Sequence, residues 1–271
     1  MLTGVAGAAT VVAVVAAVSY ADRSVALAGT ATPASVLAAD AAAEDDELSY
    51  PSPGVDASPF PLGTPIAAPA VDGGYEFLQL QDDGSSPVGF DPCRPIHYVV
   101  RPDGEPVGGN KLLKEALGEV SGITGLEFVY DGETSEAPRE KRPAYQPDRY
   151  GDRWAPVLIS WADETEVPGL AGTVVGLGGS RAMGIGDAPY VYVTGAIELD
   201  ERWFHRVLEV DGDRDAARAT VLHELGHVLG LAHVDDPASL MAPTASGLDD
   251  FGAGDLAGLV QLGEGACVPD L

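Results

Sequence analysis

Residues 223–233 read His223-Glu224-Leu225-Gly226-His227-Val228-Leu229-Gly230-Leu231-Ala232-His233. On an α-helix His223 and His227 stand four residues apart, so their rings leave the same face one turn apart. That separation lets two imidazoles reach one tetrahedral metal ion from the same side. Glu224 falls on the turn between them, placed to touch a water on the metal rather than the metal itself. Gly230 is where the helix can stop, because glycine adopts the positive φ that turns the chain sharply back. The turn brings His233 round as a third imidazole and leaves a fourth position open. Three protein ligands with an open position describe a catalytic zinc rather than a structural one. The chain has only five histidines, and three lie in this stretch. Filling a core with three convergent imidazoles and no metal would be a costly use of polar groups.

Together with Ser239-Leu240-Met241-Ala242-Pro243 downstream, the stretch resembles the metzincin zinc endopeptidases, and among them the matrixins. The resemblance implies an α+β fold: a metzincin-like catalytic domain with a twisted mixed sheet, an antiparallel edge strand, an active-site helix, a methionine turn and a C-terminal helix. It implies one catalytic zinc ion held by His223, His227 and His233, with Glu224 as general base and Met241 in the turn beneath the metal. The substrate would be a peptide or protein lying in extended form along the edge strand. The matching segment is residues 171–180, where Val174, Gly176 and Gly178 are expected to line the peptide and the glycines to let its backbone come close. The second zinc that matrixins commonly hold through further histidines cannot form in the same way, since only His97 and His205 remain. A rival reading is a catalytically silent zinc-binding surface or adhesion module on the same scaffold. Glu224, which a mere metal holder does not need, argues against it.

Composition narrows the partners. With 45% hydrophobic and 21% charged residues the chain can bury a sizeable core. Its net charge of −27 argues against nucleic acid or an anionic membrane surface as a partner. The membrane enters only through an N-terminal anchor, and the sequence leaves the oligomeric state open.

Residues 2–21 carry no charged side chain, and the apolar run 5–18 has the length of a signal-peptide core. No Lys or Arg precedes it, and Ala26-Leu27-Ala28 offers a small-residue cleavage site. Residues 1–28 are therefore a cleaved signal peptide or an uncleaved anchor. Either reading places the protein outside the cytoplasm, secreted or held at the outer face of the membrane. Residues 29–73, rich in Ala, Pro, Ser and acid, read as a disordered acidic linker. Residues 74–271 form the expected peptidase domain.

Two cysteines, Cys93 and Cys267, suit one disulfide in an exported protein. The alternative is a zinc-plugging role for Cys93, whose Asp91-Pro92-Cys93-Arg94-Pro95 setting faintly resembles the matrixin propeptide cysteine. Asp211-Gly212-Asp213-Arg214-Asp215 offers oxygen ligands of the kind calcium takes, but lacks the glutamate of an EF-hand loop. A capped helix start is the plainer reading, and calcium is left unsupported.

Through the domain, residues 75–80 suggest a short leading strand and residues 96–100 a better one. Residues 111–120 show helical spacing, 126–130 a strand, and 133–153 a long surface loop. Residues 157–161 form a nearly continuous apolar run suited to the middle of a sheet. The edge strand, a strand at 190–193 that residues 196–199 either extend or pair with, the metal helix 213–229 and a last helix 254–262 complete the order.

Overall fold

A computed structural model describes residues 50–71, 74–244 and 247–271. The expected signal peptide or anchor, residues 1–28, lies outside the described residues, as do linker residues 29–49.

The domain is a five-stranded mixed sheet with its helices gathered mainly on one face. In chain order come β1 (Ile96–Arg101), α1 (Gly109–Thr124), β2 (Phe128–Glu133), the short α2 (Pro147–Tyr150) and β3 (Val157–Ala162). After them follow β4 (Gly176–Met183), β5 (Val191–Asp200), the short α3 (Glu201–His205), α4 (Arg214–Leu229) and α5 (Ala253–Gly263). The strand order is β2-β1-β3-β5-β4. Every neighbouring pair is parallel except β4 with β5, so β4 is an antiparallel edge. The α+β class with its antiparallel edge strand is therefore observed.

Burial follows from side-chain patterning. All six residues of β3 are buried, as its apolar run requires of a strand covered on both faces. One face packs Tyr98, Val100, Ile159, Trp161, Ile197 and Leu199 against the apolar sides of α1, α4 and α5. α1 presents Leu112, Leu113, Ala116, Leu117 and Val120 to that core and stops at Gly125, whose φ of 69° suits glycine.

Three expectations change. The loop after β2 is not a plain surface excursion: it folds down over the outer face of the sheet and buries Glu136 and Arg142. The leading strand at residues 75–80 is reduced to isolated bridges, one of them pairing Phe77 with Leu231. The disorder expected of residues 29–73 does not hold over residues 50–71, which lie along the domain. Ser58 N–H donates to Cys93 O (2.7 Å), Leu62 N–H to Pro92 O (2.9 Å) and Ile66 N–H to Ile123 O (3.0 Å). Arg94 donates to Val55 O from the domain side. Six prolines between residues 50 and 71 preset φ and lower the entropy lost on ordering, which a composition rule for disorder does not register.

Cys93 and Cys267 are joined in a disulfide, so the lead into β1 is tied to the tail after α5. Asp91 accepts from the N–H of Cys93 (2.8 Å) and of Val268 (3.1 Å) at the same place.

Candidate metal centre

α4 begins at Asp213, whose side chain accepts from Ala216 N–H at 3.1 Å, so the acidic segment 211–215 contains a capped helix start. Among the described residues that segment is not one of the clusters able to hold a metal. From Ala219 to Leu229 every residue of α4 is buried, which carries His223, Glu224 and His227 into the interior. The helix stops at Leu229. Gly230 has φ 125°, and a Cβ there would come within 3.0 Å of Val88 O.

The segment after Gly230 is held from outside: Leu78 N–H donates to Gly230 O and Ala232 N–H donates to Glu76 O, both at 2.8 Å. That brace fixes where His233 returns. The Nε2 atoms of the three histidines converge, with His223 to His227 at 3.0 Å and each of them 3.1 Å from His233.

These short distances are not ordinary hydrogen bonds. Nδ1 of His223 lies 2.7 Å from Leu240 O, and Nδ1 of His227 lies 2.8 Å from Leu231 O. A carbonyl can only accept, so Nδ1 of each ring bears the proton and its Nε2 presents a lone pair. Lone pairs facing one another at 3.0 Å call for a cation between them. A tetrahedral zinc with nitrogen ligands at about 2.0–2.1 Å would set those nitrogens roughly 3.3 Å apart, so the donor set fits zinc. Burial also disfavours the imidazolium form. It pulls His223 down to about 4, His227 well below the ordinary value and His233 below it, leaving all three in the form a metal requires.

Glu224 is 0% exposed, and neither carboxylate oxygen has a hydrogen-bond partner among the described residues. Burial, with a smaller contribution from Glu198, raises its proton affinity well above that of an exposed glutamate. β4 makes room for it. A Cβ on Gly176 would stand 2.6 Å from Glu224 Oε1, and one on Gly178 would stand 2.4 Å from Glu224 O.

Those two glycines therefore face α4, and their missing side chains serve the packing of Glu224 rather than the free edge where a peptide would lie. Val174 precedes β4 and packs with Val167 against Ala162, Leu170 and Leu177. The edge strand runs Gly176–Met183, not residues 171–180.

Met241 is 1% exposed, and its sulfur fills the space a Cβ on Gly226 would take (2.6 Å), so the turn seats directly against α4. The side chain fixing that turn is Asp255 of α5, fully buried. It accepts from Ser239 O–H (2.5 Å), Leu240 N–H (2.7 Å) and Gly252 N–H (2.9 Å). Since Leu240 O orients the ring of His223, Asp255 acts on the cluster through one intermediate residue. The sequence shows Asp255 only as an acid near a helix start, a pattern most helices share.

His97 lies elsewhere, 2.8 Å from Asp131 and beside Arg153, and His205 pairs with Glu209. No free cysteine occurs among the described residues, Cys93 and Cys267 being joined to each other.

A mixed sheet with one antiparallel edge, a buried helix bearing two imidazoles, a glycine turn to a third and a methionine turn against that helix together resemble the scaffold of metzincin-type zinc peptidases. More narrowly, residues 178–259 match the sequence profile of the Matrixin peptidase family, which assigns that stretch to matrixin-type sequence. No curated protein matches the chain. Among solved structures, archaemetzincin from Methanopyrus kandleri aligns with 17% identity and a TM-score of 0.33, over 65% of this chain and 87% of that one; a likeness at that level carries no argument.

Proposed function

We propose that the chain is a zinc-dependent endopeptidase acting outside the cytoplasm, secreted or held at the outer face of the membrane by its N-terminal segment. The observation that carries the reading is the convergence of three Nε2 atoms within 3.1 Å, with Nδ1 of His223 and of His227 tied to backbone carbonyls so that those two present lone pairs. His223, His227 and His233 would hold the ion. Bound zinc supplies a Lewis acid for the scissile carbonyl and for water.

The chain's own residues supply the rest. The free edge of β4 offers backbone N–H and C=O groups to an extended peptide. Glu224 takes one proton from the attacking water as the C–O bond forms, and gives it to the amine nitrogen as the C–N bond breaks. Its burial favours the proton-accepting step, because a carboxylate stripped of hydration is a stronger base than an exposed one.

The test is to purify the protein, measure bound zinc, and profile cleavage of a peptide library with and without chelator, alongside Glu224→Gln. We expect one zinc in both proteins and cleavage reduced on the order of 10²–10⁴-fold in the variant. Undiminished cleavage by zinc-loaded Glu224→Gln, or no zinc in the wild type, overturns the proposal.

A further inference from the structure

The edge strand carries a charge that nothing in the fold uses. Gly176 and Gly178 face α4, and Ser180 does too, its hydroxyl donating to Val228 O at 2.7 Å. By strand alternation Leu177, Gly179 and Arg181 stand on the opposite face. Leu177 is packed in an apolar cluster and Gly179 has no side chain. Arg181 is thus the first charged group on that face of β4.

Its environment supplies no counter-ion. Among the described residues no carboxylate lies within ion-pair distance of Arg181; Arg139, Arg149 and Arg206 are likewise without one but lie off the sheet, whereas Arg94, Arg101, Arg142, Arg153, Arg202, Arg214 and Arg218 are paired. Across β5 its partner is Thr194, whose hydroxyl already accepts from Arg142, and Arg142 is committed to Glu136. The inner side of Arg181 therefore presents a like charge rather than an anion. Only the open edge can bring one. The β4–β5 pairing is also irregular between Arg181 and Ala182, and bulges beside active sites commonly re-aim a side chain.

The geometry points to Arg181 as a specificity-determining residue: it pairs with an acidic side chain of an extended peptide bound along β4. Gly178, against Glu224, is three residues away, so at about 3.4 Å per residue the selected position lies roughly 10 Å from the reacting bond. Directly opposed side chains on paired strands are the ones that interact. The chain's net charge of −27 repels acidic peptides as a whole, so the preference shows as a single position, not as a general taste for acid.

This rests on the peptidase reading, and the experiment separates the two. Peptides with Glu, Gln or Lys placed singly at each position flanking the cleaved bond are titrated against zinc-loaded Glu224→Gln by fluorescence polarisation, and cleaved by the wild type. Both measurements are repeated with Arg181→Gln added. We expect Glu to be favoured over Gln on the order of three-fold at one position, with the preference lost in Arg181→Gln and weakened at 0.5 M salt, at an ionic strength of about that order. A preference that survives Arg181→Gln, or the absence of any preference for Glu, overturns the inference while cleavage itself still stands. If the wild type cleaves nothing, the peptidase reading fails and this assignment with it.

Discussion

Two buried polar clusters flank the same sheet. On the outer face Glu136, 1% exposed, accepts from Arg142 through both oxygens (2.9 Å each), from Gln146 (2.8 Å) and from Tyr150 (2.6 Å). Through Nη1 Arg142 also donates to Thr194 Oγ1 (2.8 Å) and Gly195 O (3.4 Å). On the α4 face Glu224 is as deeply buried and accepts nothing, while the Nε2 atoms of three imidazoles converge. The first cluster is complete as it stands, and the second needs a cation and water to become so. Buried polar groups left unpaired cost stability, so the contrast separates a part that holds the fold from a part shaped for chemistry.

The largest test of that contrast is Glu136→Ala. Burial pushes the Glu136 carboxyl up, but the hydrogen bond and charge of Arg142, with Tyr150 and Gln146, outweigh it and hold the group below its usual range. Removing the anion strands a buried guanidinium, which costs about 3–5 kcal/mol. Urea unfolding should register that loss, while the folded fraction still binds one zinc. A cost no larger than that of a surface substitution would mean the outer network is not what holds the loop down.

Glu198 sharpens the comparison because it sits on the outer face without belonging to its network. It is 3% exposed and stands opposite Ser160 and Leu177. Arg142 is the cation that acts on it, but that guanidinium is given to Glu136, and burial raises Glu198 from 4.5 to about 7. The folded state therefore binds more protons than the unfolded state between those values. The resulting stability is fully present below about pH 4.5 and is lost as pH rises through about 7. Glu198→Gln removes the titration. Relative to that variant, the wild type should lose up to about 3 kcal/mol between pH 4.5 and 7.5. A difference in unfolding free energy that stays flat across this interval would refute the burial argument.

Sequence periodicity and motif spacing made much of this visible and stopped at identifiable places. The apolar run of β3 and the spacing of α1 need only local information, and His223, His227 and His233 are linked by helix geometry plus one glycine. The position of β4 is less legible because Gly176, Gly178 and Gly179 carry no side chains to alternate, so the expected segment starts five residues and ends three residues before the observed strand. Glu136 and Arg142 looked like surface charges, since only the folded loop shows that each buries the other. Asp255 gave no signal beyond a helix start, because its three donors come from Ser239, Leu240 and Gly252, brought to it by the turn.

The smallest effect tests the boundary between packing and chemistry at β4. A methyl group on Gly178 would meet the backbone oxygen of Glu224 at 2.4 Å, which α4 can relieve only by moving away. One on Gly176 meets the Glu224 carboxylate itself at 2.6 Å, and a side chain can rotate where a helix backbone cannot. Gly178→Ala should therefore cost about 1–3 kcal/mol as an overpacked core does, whereas Gly176→Ala should cost less and chiefly lower kcat by displacing the proton-accepting oxygen. Thermal unfolding and peptide cleavage measured on both variants separate the two effects. If Gly176→Ala leaves kcat unchanged, the unpaired carboxylate of Glu224 is not held where the reaction needs it, and its burial reduces to a matter of packing.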